Sequence, residues 1–388
     1  VGRDHPAGAL CPVFDRSLPV ERIGVIKPSA LGDVVQAMPL LGVLRHRFPT
    51  AELFWVINRD LADILADHPS GVHPVPFDRR GSLWQQARLL YRLRNLRLDL
   101  VLDLQGLARS AVMLLATGAT HRIGLETARE GADWACTQLL PNTRRSVAAW
   151  QRYWRVAEAL ELGGLPRDAG VTIDRRDTDW AESLLNRLPG PRLVVHPGAR
   201  WITKRWAADR FGEIGRRFVQ ATGGSVLTIG STGEAGLAAT VTQAARSAGR
   251  GAAINLAGRT SLKQLAAVFQ RCDLVLSNDS GPMHLAAAMH APVVGIFTCT
   301  SPILSGPGVY RRVASNSPTV ATPDGGLSGS EPGHELVSTS VWCAASYCKT
   351  CPQMGMQHMA CLHDVSIDRV WRAVLRVLER TQPNSATA

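Results

Sequence analysis

The chain has 388 residues, 45% hydrophobic and 19% charged, the composition of a globular protein with room for two domains rather than of a disordered or fibrous chain. Its longest apolar stretch, 101–119, is interrupted by Asp103, Gln105 and Arg109, which leaves no run of about 18 apolar residues to span a membrane. Lys and Arg number 43 against 32 Asp and Glu, a net charge of +11, which suits phosphates, nucleic acid or an anionic membrane face; an arginine-rich coding bias would give the same balance.

In chain order, the first twenty residues carry Asp4, His5, Pro6, Asp15 and Arg16 with no continuous apolar core, so no secretory signal is read there and the cytoplasm is the expected compartment. The apolar run at 22–26 predicts a strand, 33–48 a helix and 52–57 a second strand. An amphipathic helix follows at 83–96, inside a stretch with seven arginines (Arg79, Arg80, Arg88, Arg92, Arg94, Arg97, Arg109) against Asp99 and Asp103. A strand is expected at 98–104 and a helix at 107–117. In the second half, strands are expected at 192–196, 225–229, 253–256, 274–277 and 293–297, with helices at 207–221, 234–247, 261–271 and 281–290.

Strands alternating with helices imply right-handed βαβ units and parallel sheets covered on both faces. Two doubly wound domains fit the length, joined near 175–191, where Pro189-Gly190-Pro191 breaks the pattern. The expected domains are 1–180, 181–365 and a C-terminal helix and tail at 366–388. Residues 305–340, rich in Gly, Ser, Pro and Thr, read as a flexible loop. Residues 366–380 read as a helix with Ile367, Val370, Trp371, Val374, Leu375 and Leu378 on one side.

Ligands of open α/β sheets bind where strand ends lead into helix N-termini. Three such junctions stand out. In the first, Lys27-Pro28-Ser29-Ala30-Leu31-Gly32-Asp33, Asp33 is either a helix cap or a general base. In the second, Ser277-Asn278-Asp279-Ser280-Gly281-Pro282-Met283-His284, a strand opens into a helix whose free N–H groups favour an anion, which suits a diphosphate. The third, His196-Pro197-Gly198-Ala199-Arg200 with Lys204-Arg205-Trp206, offers close backbone approach and cations for phosphate. Farther on, the turn Gly230-Ser231-Thr232-Gly233-Glu234 presents a carboxylate suited to ribose hydroxyls. A phosphate-binding Gly-x4-Gly-Lys-Ser/Thr loop and a Gly-x-Gly-x-x-Gly after the first strand are both missing, which argues against P-loop and dinucleotide enzymes. Asp177-Thr178-Asp179 precedes a helix and reads as capping rather than as a metal site.

Four of the eight cysteines cluster as Cys343, Cys348, Cys351 and Cys361. Their spacing is loosely compatible with a structural zinc or iron site and equally with reduced thiols in a loop.

The motifs Lys27–Asp33, Asp103-Leu104-Gln105-Gly106-Leu107 with Arg109-Ser110, Pro197–Trp206 and Ser277–His284 together resemble glycosyltransferase family 9, the ADP-heptose:lipopolysaccharide heptosyltransferases, over about residues 21–380. The resemblance implies a GT-B fold: two Rossmann-like domains facing a cleft, acceptor on the first, nucleotide sugar on the second, the last helix crossing back to the first domain. It implies an inverting transfer without a required cofactor, with Asp33 as the base and Lys204 stabilising the leaving diphosphate. Gly198, Ala199, Gly230, Glu234, Thr260, Asp279, Ser280, Gly281 and His284 are the implied donor-binding residues, Glu234 at the ribose and Thr260 near the nucleobase. Ser29, Gln105 and Arg109 are the implied acceptor-binding ones. The implied partners are a nucleotide-sugar donor and an anionic glycolipid at the inner membrane, touched peripherally, with no nucleic acid. Another nucleotide sugar, a protein acceptor as in autotransporter heptosyltransferases, or a non-catalytic basic scaffold remain as alternatives.

Overall fold

Arg22–Ile26 (β1) carries Ile23, Val25 and Ile26, all buried, as expected of a strand with helices over both faces. In the computed structural model, the described residues are 19–308, 310 and 333–381, with the backbone alone of 320–321 and 327–328. Much of the expected 305–340 loop, the tail 382–388 and Cys11 lie outside them. The chain divides into two compact units, Val1–Gly170 and Val171–Ala388.

In the first unit β1 is followed by α1 (Leu31–Ala37) and α2 (Pro39–Arg47), where the hydrophobic period had suggested one helix from 33 to 48. The break is chemical: Pro39 has no N–H to continue the hydrogen-bond ladder and sits at the first position of α2, where that donor is not needed. The unit continues with β2 (Glu52–Asn58), β3 (His73–Phe77), α3 (Leu83–Asn95), β4 (Leu100–Asp103), α4 (Ala108–Thr117), β5 (His121–Leu125), β6 (Gln138–Leu140) and α5 (Ala149–Ala159). The strands form a parallel sheet in the order β3-β2-β1-β4-β5-β6. The chain winds outward from β1 in both directions, so the β1/β4 boundary is where ligands of such sheets bind.

The second unit opens with α6 (Arg175–Leu185), N-capped by Asp174, whose side chain accepts from Asp177 N (2.7 Å). This helix occupies part of the segment expected to be the join. The cap lies ahead of Asp177 and Asp179, which fall inside the helix; Asp179 pairs with Arg175 at 3.7 Å. Next come β7 (Arg192–His196), α7 (Ala208–Thr222), β8 (Ser225–Thr228), α8 (Ala235–Arg246), β9 (Ala252–Asn255), α9 (Leu262–Phe269), β10 (Leu274–Asn278), α10 (Gly281–Ala288), β11 (Val293–Phe297) and α11 (Pro302–Ser305). The described chain ends with β12 (Val320–Ala321), β13 (Leu327–Ser328), β14 (Glu335–Ser338), α12 (Ala360–Asp364) and α13 (Ile367–Thr381). The sheet order is β12-β13-β14-β11-β10-β7-β8-β9, parallel except for β12 and β13. Its reversal point is the β7/β10 boundary.

One core joins the sheet to α7 and α13. Helix α7 presents Phe211, Ile214, Phe218 and Val219 on one stripe, all at 0% exposure. The apolar stripe of α13 packs inside the second unit. Val370, Ala373, Val374, Val377 and Leu378 join the cluster of Trp206, Phe211 and Phe218, and Arg376 and Arg380 pair with the buried Glu335 of β14. Trp206 ties both helices together, edge-on to Phe211 (5.1 Å) and donating from Nε1 to the Val365 carbonyl (2.8 Å). Phe218→Ala empties the middle of this cluster and is expected to cost about 3–5 kcal/mol of stability, read by denaturant unfolding; a loss within error of zero would contradict the packing described.

Candidate functional site

In the first unit, Ile26 and Asp103 pair at the carboxyl ends of β1 and β4, so the loops after them emerge side by side. Asp33 is the third residue of α1 rather than its cap. Its Oδ2 accepts from the Ala30 amide at 3.4 Å and its Oδ1 from the Tyr153 hydroxyl of α5 at 3.1 Å. Lys27 Nζ lies 3.8 Å from Oδ2, while the Asp33 side chain keeps 40% of its surface exposed. Burial alone would lower the Lys27 ammonium, but Asp33, Tyr153 and Asp103 outweigh it and hold its pKa above the ordinary value. Burial and then the Asp33 charge push Tyr153 up to about 12, so its phenol stays a donor. The result is an accessible carboxylate fixed by two neighbours, the geometry a proton acceptor needs.

The second motif forms a rigid turn beside it. The buried Asp103 accepts from Gln105 N (2.9 Å), Gly106 N (3.1 Å) and Ser110 Oγ (2.8 Å). Gly106 is required here: its φ is +62°, and a Cβ would fall 2.9 Å from Ala128 Cα. Gln105 Oε1 is buried with no hydrogen-bond partner among the described residues. Arg109 is exposed, its guanidinium 5.8 Å from the Phe77 ring, and Ser29 is half-buried in the loop after β1. The structure therefore brings Ser29, Asp33 and Gln105 to one end of the sheet and sets Arg109 on the first turn of α4.

The second unit uses the same place in its sheet. His196 and Ser277 pair across β7 and β10, and the loop 197–206 lies against the start of α10. The fully buried Asn278 fastens that loop, accepting from Trp206 N (3.1 Å) and donating to the Pro197 (2.9 Å) and Gly198 (3.4 Å) carbonyls. Arg205 closes it further by donating to the Ala199 carbonyl (2.6 Å). Lys204 thereby reaches Asp279: Nζ to Oδ2 is 2.7 Å, with Thr300 Oγ1 donating to the same oxygen at 2.7 Å. His284 Nε2 lies 3.8 Å from Oδ1, and the Trp201 ring lies 4.8 Å from the ammonium. Burial pushes the Asp279 carboxyl up, but its bond to His284 and the Lys204 charge prevail and bring it to about 2.

Ser280, the residue before α10, makes no side-chain cap bond; its Oγ meets His196 Nδ1 (3.0 Å) and Ser277 Oγ (3.1 Å) instead. The first turn, with Gly281 and Pro282, keeps its positive end for an anion. His196 Nε2 also lies 3.7 Å from Glu234 Oε2, which accepts from Ser231 N and Oγ, both at 2.8 Å. The His196 contact brings the Glu234 carboxyl down to about 2. A side chain at Gly198 would fall 2.0 Å from Glu234 Oε1, and one at Gly230 would fall 3.2 Å from its Cβ. Thr260 stands in the turn after β9, which Gly258 N joins to the Gly230 carbonyl (2.8 Å). The expected donor residues thus lie on connected turns. His196, Asn278 and Thr300, to which the sequence reading gave no role, hold those turns in place, as Lys27 and Tyr153 hold Asp33.

The cysteines behave differently from the metal expectation. Among the described residues no three His, Cys, Asp or Glu side chains are grouped to hold a metal ion, and Cys343, Cys348, Cys351 and Cys361 are free thiols. Cys351 Sγ accepts from Met359 N (3.3 Å), and burial pushes the Cys361 thiol up to about 11, with Cys343, Cys299 and Cys351 nearby. Their segment is anchored by backbone: Thr203 Oγ1 donates to the Cys348 carbonyl at 2.7 Å.

A carboxylate held at about 2 stabilises the fold above the ordinary carboxylate pKa near 4, and that contribution is lost as pH falls through about 2. Asp279→Asn removes it. Thermal unfolding should show the variant below wild type at neutral pH, with the two curves converging between about pH 5 and pH 2; parallel curves would contradict the pairing.

The model of glycosyltransferase family 9 (heptosyltransferase) matches residues 86–325, more than half of the chain. The chain is 31% identical over 305 residues to lipopolysaccharide heptosyltransferase 1 of Pseudomonas aeruginosa, covering 75% of this chain and 82% of that one. It is 24% identical over 291 residues to the lipopolysaccharide core heptosyltransferase OpsX of Haemophilus influenzae, covering 73% and 80%. The solved structure of the E. coli ADP-heptose lipopolysaccharide heptosyltransferase II matches with a TM-score of 0.68 at 20% identity, over 92% of this chain and 98% of that one, a likeness of fold. Among the described residues no helix is long and apolar enough to cross a membrane. The four motifs, the paired α/β units and these matches converge: the chain belongs to glycosyltransferase family 9, the heptosyltransferases, and is a glycosyltransferase of GT-B fold.

Proposed function

We propose that the chain transfers a heptose from ADP-heptose to a lipopolysaccharide core acceptor with inversion at the anomeric carbon. The observation that carries this reading is the Lys204–Asp279 pair, 2.7 Å long, at the N-terminal end of α10, a cation already oriented where a diphosphate would dock. In the reaction the acceptor hydroxyl oxygen forms a bond to the anomeric carbon as the bond to the diphosphate oxygen breaks. Asp33 takes the hydroxyl proton, and Lys204 with the first turn of α10 meets the charge growing on the departing ADP. Glu234 and the Gly230 turn suit the ribose, the turn of Thr260 the nucleobase, and Gly198 and Ala199 allow close approach of the donor. The first unit takes the acceptor, through Ser29, Gln105 and Arg109. The names of the relatives, lipopolysaccharide heptosyltransferases from three organisms, support both substrates, and such an acceptor places the protein at the cytoplasmic face of the inner membrane.

Asp33→Ala should lower transfer by about 10²–10⁴-fold while leaving ADP affinity nearly unchanged. Lys204→Ala should weaken both ADP binding and turnover. Transfer assays with titration calorimetry check the pair; near-native turnover in the Asp33 variant would overturn its assignment as the base.

A further inference from the structure

Helix α3 is the anomaly of the first unit. Its sequence, LWQQARLLYRLRN, contains no acid, and from Arg79 to Leu98 there are six arginines and neither Asp nor Glu. Of its thirteen residues only Leu89 and Leu93 are fully buried, on a core with Phe77, Val101 and Leu114. At 100° per residue the opposite side carries Trp84, Arg88, Tyr91 and Asn95, with Leu83 on its flank. Leu83 is 88% exposed, Trp84 85% and Tyr91 72%, an unusual outlay of large apolar surface on water.

Neighbouring elements also expose apolar side chains. Helix α4 packs beside α3 and exposes Val112 (51%), and the turn Ala132–Ala135, packed on α4, exposes Trp134 (69%). Of the acids bordering this face, Asp78 pairs with Arg59 at 2.9 Å, Glu130 accepts from the Ala108 amide at 3.1 Å, and Asp99 accepts from Glu21 N and Arg22 N, both at 2.9 Å, while Asp133 beside Trp134 is exposed.

We infer that the outer face of α3 is a docking surface for an anionic phospholipid bilayer, with Trp84, Tyr91 and Leu83 entering the headgroup boundary and Arg79, Arg80 and Arg88 meeting lipid phosphates. Trp and Tyr partition to that boundary because their rings are apolar at one end and polar at the other. Arginines near an anionic leaflet are attracted by its surface potential. Binding at such a surface scales with the apolar area it buries plus its electrostatic attraction to anionic lipids. Helix α3 is already folded on Leu89 and Leu93, so docking orders no new backbone. The convex face and its solvent-directed rings favour a bilayer over a nucleic acid, which would be met by a groove with bases stacked on aromatics. This inference deepens the reading above, on which the choice of membrane rests, but lipid binding needs neither donor nor acceptor.

The test is flotation of the full chain with vesicles of phosphatidylglycerol and phosphatidylcholine in equal parts, and with phosphatidylcholine alone. Two double variants are compared, Trp84→Ala with Tyr91→Ala and Arg80→Ala with Arg88→Ala. Wild type should float with the anionic vesicles and not with the neutral ones. Each variant should lose about tenfold in apparent lipid affinity with its unfolding midpoint and ADP binding unchanged, because the altered side chains are exposed. Failure of wild type to float, equal flotation with both vesicles, or wild-type affinity in the aromatic variant would overturn the proposal. The last result, with loss confined to the arginine variant, would identify a general polyanion surface. Failure to bind ADP would bear on the transferase reading and leave the lipid result standing.

Discussion

The pairing of the half-buried Lys204 with the buried Asp279 is the constraint around which the second unit is arranged. Removing two charges from water is costly unless the geometry is tight and further hydrogen bonds satisfy the carboxylate. Here Asp279 is 5% exposed and takes bonds from both Lys204 and Thr300. Those bonds exist only if the loop after β7 folds back over the end of β10, which Asn278 enforces from beneath through three backbone groups. An ammonium fixed in this way needs little further ordering to meet a phosphate. His196 extends the same rigidity sideways, linking the start of α10 to the Glu234 turn.

The first unit repeats the device with the roles exchanged. At its own reversal point a lysine and an aspartate again meet, Lys27 and Asp33 at 3.8 Å, but the lysine is buried and the aspartate half-exposed. In the second unit the carboxylate is the holder and the ammonium is presented. In the first, the ammonium and the Tyr153 phenol are the holders and the carboxylate is presented. One sheet architecture, in which the chain leaves the central strands in opposite directions, yields a basic group on one unit and an acidic group on the other.

Most of the architecture was legible because strands buried on both faces read as short apolar runs; β1, β7 and β11 have the expected bounds. The helix at 33–48 was misread because the apolar period runs unbroken through Pro39. The apolar stripe of α13 was legible, but the partners it completes a core with, Trp206, Phe211 and Phe218, are not specified by periodicity. The motifs contain Asp33, Lys204, Asp279 and Lys27 but not Tyr153 or Thr300, which help to hold them. Tyr153 lies 120 residues from Asp33 in sequence and carries no local signal. Lys27 had one: the chain uses only four lysines among 43 basic residues, and two of them, Lys27 and Lys204, stand at these sites. The cysteine spacing left a metal site and reduced thiols equally open, and among the described residues the thiols are free. What ties that segment to the loop after β7 is the Cys348 carbonyl on Thr203, a contact that no thiol spacing can reveal.

Under the proposed function, the turns around Lys204, Asp279 and Glu234 form an ADP-sugar site. Its most direct test is a thermal-shift panel on the wild-type protein with ADP-heptose and with UDP-, GDP- and dTDP-sugars. The structure leads us to expect a rise in unfolding temperature with ADP-heptose that exceeds the rise with any other nucleotide sugar. A larger rise with another nucleotide would keep the fold and contradict the donor; no rise with any of them would contradict the site.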